Sequence, residues 1–70
     1  MPKLPSLSYK EVVSLLTSVG YKMMRQKGSH VRFSHEYKSS ITVPKHLKIA
    51  KGLLRKILRD AEIRIEEVQK

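Results

Sequence analysis

Residues 24–36 read Met24-Arg25-Gln26-Lys27-Gly28-Ser29-His30-Val31-Arg32-Phe33-Ser34-His35-Glu36, and their pattern decides the fold. From His30 to Glu36 the side chains alternate as in a strand, with Val31, Phe33 and His35 on one face and His30, Arg32 and Ser34 on the other. That is the period of a strand with one buried face. Gly28-Ser29 is a two-residue connection with glycine where φ must be positive, so Tyr21 to Lys27 is expected to form the partner strand of a hairpin. Met23 and Met24, side by side, blur the alternation of that first strand. Tyr37-Lys38-Ser39 turns the chain again, and Ser40-Ile41-Thr42-Val43 predicts a short third strand closed by Pro44.

Outside the strands the period lengthens. Ser8-Tyr9-Lys10-Glu11 is a capping box, in which the Ser8 hydroxyl takes an orphan amide while Glu11 reaches back. Val12, Leu15, Leu16 and Val19 then form one apolar stripe, with Gly20 as the stop, predicting a helix from Tyr9 to Val19. Ala50, Leu53, Leu54, Ile57, Leu58 and Ala61 make a second stripe, with Lys51, Arg55, Lys56 and Arg59 on the other faces. Ile63 to Val68 has room for a last short turn of helix. The order is α-β-β-β-α, an α+β fold with a three-stranded antiparallel sheet and two helices on one face. Val12, Leu16, Val31, Phe33, Leu54 and Leu58 are expected to share one core.

Seventy residues make one domain, expected to span 1–70. A chain of this size buries only about 60% of its unfolded surface, so the core is thin. No cysteine is present to staple it. Met1-Pro2-Lys3-Leu4-Pro5 has no apolar run behind it, and no stretch approaches the roughly 18 apolar residues of a membrane span. The expected location is the cytoplasm, with no membrane partner. The formal net charge is +9, and eleven of the fifteen Lys/Arg lie between Val12 and Arg59 beside a single acid, Glu36. Four of the six acids, Asp60, Glu62, Glu66 and Glu67, gather in the tail. Such a surface could be a solvated face that keeps the chain soluble. An excess this large in so short a chain points instead to a polyanion partner.

Nucleotide-binding glycine loops are missing, and Ser29 and Ser34 lack a Ser/His/Asp pattern. Three histidines remain, His30, His35 and His46, and their spacing matches no metal-ligand set. No cofactor is expected. His30 and His35 are five apart on one strand and therefore face opposite ways. His30 shares its face with Arg32, just past the Gly28-Ser29 loop, with Arg25 and Lys27 on the partner strand. A neutral imidazole among cations suits ribose chemistry: it takes the proton of a 2′-OH while the cations stabilise charge on the attacked phosphate. From the chemistry alone, an exposed histidine that only binds phosphate is an equal alternative. His35 reads as a half-buried packing residue and His46 as a loop residue, with a substrate or phosphate contact as its lesser reading.

The stretches Leu7-Ser8 through Glu11, Leu15-Leu16, Gly20-Tyr21, Arg25-Gln26-Lys27-Gly28-Ser29-His30 with Phe33, Val43-Pro44-Lys45-His46, and Lys51-Gly52-Leu53-Leu54-Arg55-Lys56-Ile57-Leu58 together resemble the HicA toxins. The resemblance runs from about Leu4 to Val68. It implies a double-stranded-RNA-binding-domain-like fold and the toxin role in a type II toxin–antitoxin pair. Such toxins are metal-independent mRNA interferases that cut mRNA and arrest translation until a HicB antitoxin binds. The family's catalytic histidine falls here on His30, and Arg25, Lys27, Gly28, Ser29 and Arg32 are the candidate substrate-binding residues around it. Three positions depart from the pattern. Leu53 replaces a frequent Thr, Glu62 stands where Gly usually ends the second helix, and Arg64 where a Ser or Thr cap is common, so the second helix is expected to be able to run on. Two rival readings are a non-catalytic RNA-binding module and an interaction protein whose basic face docks an acidic partner.

Overall fold

The computed structural model describes residues 4–68; the reading of Met1-Pro2-Lys3 lies outside them. Helix α1 (Tyr9–Ser18) is followed by strands β1 (Lys22–Lys27), β2 (His30–Ser34) and β3 (Ile41–Pro44), then helix α2 (Lys51–Ala61) and a short helix α3 (Ile65–Val68). The strands form an antiparallel sheet in the order β1-β2-β3.

The capping box forms as expected: the Glu11 amide donates to Ser8 Oγ at 3.3 Å, and the Ser8 amide donates to Glu11 Oε1 at 3.0 Å. At the other end Gly20 takes φ +100°, and the Tyr21 amide donates to the Leu16 carbonyl at 2.9 Å. This is a Schellman closure, and it commits the Tyr21 amide to the helix. The first strand therefore starts at Lys22, one residue later than the sequence pattern suggests.

Helix α2 ends at Ala61 and does not run on. Glu62 occupies the left-handed region at φ 58°, its amide donates to the Arg59 carbonyl at 3.1 Å, and the Ile63 amide donates to the Leu58 carbonyl at 2.9 Å. The second Schellman motif thus forms around a glutamate where glycine is usual. Burial of Ile63 at the position after the left-handed residue supplies the apolar contact that goes with the motif. Before α3, the Glu67 carboxylate accepts from the Arg64 amide at 2.7 Å, which is the glutamate's half of a capping box; Arg64 has no hydroxyl to supply the other half.

All six residues expected in the core, Val12, Leu16, Val31, Phe33, Leu54 and Leu58, are buried, together with Tyr21, Ile41, Val43, Ile49 and Ile57. Val31 and Phe33 of β2 and Ile41 and Val43 of β3 turn inward beneath the helices. Strand β1 overhangs this cover, and every residue from Lys22 to Lys27 is exposed. One sheet face is therefore roofed by helix, and the opposite face, carrying His30 and Arg32, is open to solvent.

Candidate functional site

The doubled methionine of β1 proves to be a register device. Met23 pairs with Phe33, but Arg25 pairs with Arg32, so one extra residue, Met24, sits in β1 as a bulge. Without that insertion Arg25 would oppose Val31 and share its inward face. With it, Arg25 lies opposite Arg32 and Lys27 opposite His30. Directly paired residues share a sheet face, so Arg25, Lys27, His30 and Arg32 form one cationic cluster on the open side. These are four of the six residues the sequence singled out.

The other two act through the backbone. Gly28 opens the loop at φ 59°, and a Cβ there would meet nothing within 4 Å, so conformation alone calls for glycine. The Ser29 carbonyl accepts the Lys45 amide at 2.7 Å, which ties the hairpin tip to the segment after β3. His30 is thus set at the start of a strand held on both sides, by Lys27 and by Pro44.

His30 opens onto a cleft of about 410 Å³ that the sequence pattern did not foreshadow. One wall is the open face of β2 and β3, with His30, Arg32 and Thr42; the other is the flank of α2, with Leu53, Lys56 and Asp60. Pro44 and Ile57 supply apolar surface between them. The far end is fixed by Tyr21, whose Oη donates to the main-chain oxygens of Ser39 at 2.8 Å and Asp60 at 3.4 Å. Burial holds the Tyr21 hydroxyl above its ordinary pKa, and the carboxylates of Asp60 and Glu62 push it the same way. Lys56 and Asp60 escaped the sequence reading because nothing local tells which flank of α2 will border the β3 edge.

His35 has a structural position. Its Nε2–H donates to the Val19 carbonyl at 2.9 Å, and its Nδ1 accepts the Tyr37 amide at 3.0 Å, which fixes the tautomer. The ring packs on Tyr21 with centroids 4.9 Å apart. This half-buried histidine joins the end of β2 to the end of α1. The Tyr37 amide is drawn into that contact, so β2 stops at Ser34 and does not reach Glu36. His46 is exposed in the loop after β3, where its carbonyl accepts the Tyr9 amide at 3.1 Å.

Among the described residues, no three His, Asp or Glu side chains come together as a metal site, and no helix is long and apolar enough to cross a membrane. The chemically equipped surface is one imidazole flanked by cations at the mouth of a cleft. The sequence matches, over residues 9–63, the family model described as the HicA toxin of bacterial toxin-antitoxin. A solved toxin–antitoxin complex from Streptococcus pneumoniae contains a similar chain, at 33% sequence identity and a TM-score of 0.72, the match covering 81% of this chain and 98% of that one. No curated protein matches the sequence.

Proposed function

Because the chain belongs to the HicA toxin family, we propose that it is an mRNA interferase that cuts RNA without a metal ion, using His30 as general base. The observation that carries the reading is the placement of His30 on the open sheet face, directly across from Lys27 and beside Arg32, at the mouth of a cleft. In the proposed step the imidazole takes the proton of a ribose 2′-OH, and O2′ attacks the adjacent phosphorus. The P–O5′ bond breaks and the 5′ oxygen takes a proton from water, leaving a 2′,3′-cyclic phosphate and a 5′-hydroxyl end. Lys27, Arg25 and Arg32 stabilise the charge that builds on the phosphate oxygens. Gly28 and Ser29 hold the turn that aims His30.

The same surface suits a HicB-like antitoxin. The similar solved chain is part of a toxin–antitoxin complex, and here the uncovered strand β1 presents Lys22, Arg25 and Lys27 beside Met23 and Met24, which are 64% and 61% exposed. An acidic protein laid along β1 would meet those cations, bury the methionines and close the approach to His30.

The test is cleavage of mRNA in excess chelator by the wild-type protein and by His30→Ala, with thermal melts of both. Removing a positioned general base costs about 10²–10⁴-fold in rate, whereas an exposed substitution of this kind changes stability by about 0.5 kcal/mol or less. Expected are cyclic phosphate ends from the wild type, and a folded, inactive variant. Cleavage at the wild-type rate by folded His30→Ala refutes the assignment and leaves a binding module.

A further inference from the structure

Asp60 stands out against its surroundings. It lies in the last turn of α2, where the helix dipole disfavours a negative charge. It is also the one acid lining the His30 cleft, among His30, Arg32 and Lys56. The contact from Tyr21 engages its main-chain oxygen, so the carboxylate is left to the cleft.

Lys56 lies one turn earlier, so the two side chains are neighbours on one flank of α2, with Cβ atoms about 5–6 Å apart. An ammonium only donates and a carboxylate only accepts, through two oxygens. A donor followed by two acceptors complements one nucleobase edge in particular. Guanine presents O6 as acceptor, then N1–H and N2–H as adjacent donors; adenine, cytosine and uracil offer no such pair of donors side by side. Single-stranded RNA exposes that edge to side chains.

The cleft has the length for such a fit. His30 pairs with Pro44, and Asp60 is pinned beside Ser39, two residues before β3 begins. Ser40 lies four residue steps before Pro44, about 13 Å at the usual rise of extended chain. A nucleotide whose ribose lies at His30 therefore points its base along the cleft toward Lys56 and Asp60, over the apolar surface of Pro44, Leu53 and Ile57. We infer that this cleft is a base-reading subsite in which Lys56 and Asp60 select guanine at the nucleotide next to the scissile phosphate. The inference rests on RNA being the ligand, as proposed above.

The experiment measures equilibrium binding of four short uridine-rich oligonucleotides that differ at one central position, carrying A, C, G or U. All riboses are 2′-fluoro, so the strand keeps RNA-like pucker but lacks the attacking hydroxyl. The guanine strand should bind the wild type about 5- to 100-fold tighter than the other three, the discrimination that one bidentate base contact gives. Asp60→Asn should bring the four affinities together, and Lys56→Met should narrow the gap while weakening all four. Equal binding of the four strands, binding of none, preference for another base, or a guanine preference that survives Asp60→Asn would each overturn the inference. Unmodified RNAs of the same sequences separate this from the catalytic reading. A guanine preference without cutting leaves the subsite standing and removes His30 as a base; cutting without preference does the reverse.

Discussion

Lys27 stands directly across the hairpin from His30, and it does so because Met24 is squeezed out of the ladder three residues earlier. A single extra residue in β1 decides which face its cations occupy. The bulge also sits on an exposed edge strand rich in charge, where it discourages pairing with another sheet. The same device therefore serves solubility and assembles the cluster around the imidazole.

Lys27→Gln should lower cleavage by about one to two powers of ten, since it removes a cation near the developing phosphate charge and leaves the base in place. The side chain is exposed, so the melting temperature should not move. The slope of log Kd against log salt for single-stranded RNA should shrink by about 0.7, one phosphate contact. An unchanged rate and slope would place Lys27 outside the substrate path.

Glu62→Gly should stabilise the protein. A non-glycine residue in the left-handed region costs roughly 1–2 kcal/mol, and an acid at a helix C-terminus adds a further penalty. Glycine gives back part of that gain through its freer unfolded chain, about 0.4–1 kcal/mol. A net gain of about 0.5–1 kcal/mol raises Tm by several degrees in a domain of this size. A lower Tm in Glu62→Gly would show that the glutamate side chain holds the turn by a contact of its own.

The features legible in the sequence were the local ones. Ser8 and Glu11 cap a helix from three residues apart, Gly28 marks its own turn, and the alternation from His30 to Phe33 assigns faces without reference to any other element. The bulge was hidden because Met23 and Met24 are equally apolar, so no polarity step marks the extra residue. Glu62 misled for a related reason: a glutamate continues a helix readily, and the stop depends on Ile63 finding the core. The wall formed by Lys56 and Asp60 needs the register of α2 against β3, which no local pattern encodes.

Tyr21 should make stability fall at alkaline pH. Its native pKa is raised above the ordinary 10.0 by burial and by Asp60 and Glu62, so the unfolded chain releases the phenolic proton first. The contribution is fully present below about 10 and is lost as pH rises through the raised native value. Tyr21→Phe gives up the hydrogen bonds to the Ser39 and Asp60 carbonyls, about 1 kcal/mol at neutral pH. Denaturant melts of both proteins should show the wild type's advantage shrinking above pH 10. A constant difference across that range would mean that Tyr21 does not titrate in the window.

His35→Ala should separate the two strand histidines by what they affect. His35 donates to the Val19 carbonyl, accepts from the Tyr37 amide and packs on Tyr21. Its loss strands one carbonyl and one amide at the junction of α1 and β2, at a cost of about 1–3 kcal/mol. The junction is tight, since a Cβ on Gly20 would lie 3.0 Å from His35 Nε2. His30 is on the other face of the sheet and at the opposite end of β2, so its surroundings should not change. At a temperature where the variant is still folded, His35→Ala should cut RNA at close to the wild-type rate while melting several degrees lower. A folded His35→Ala protein with normal stability and no cleavage would reverse the assignment, making His35 the working imidazole and His30 the bystander.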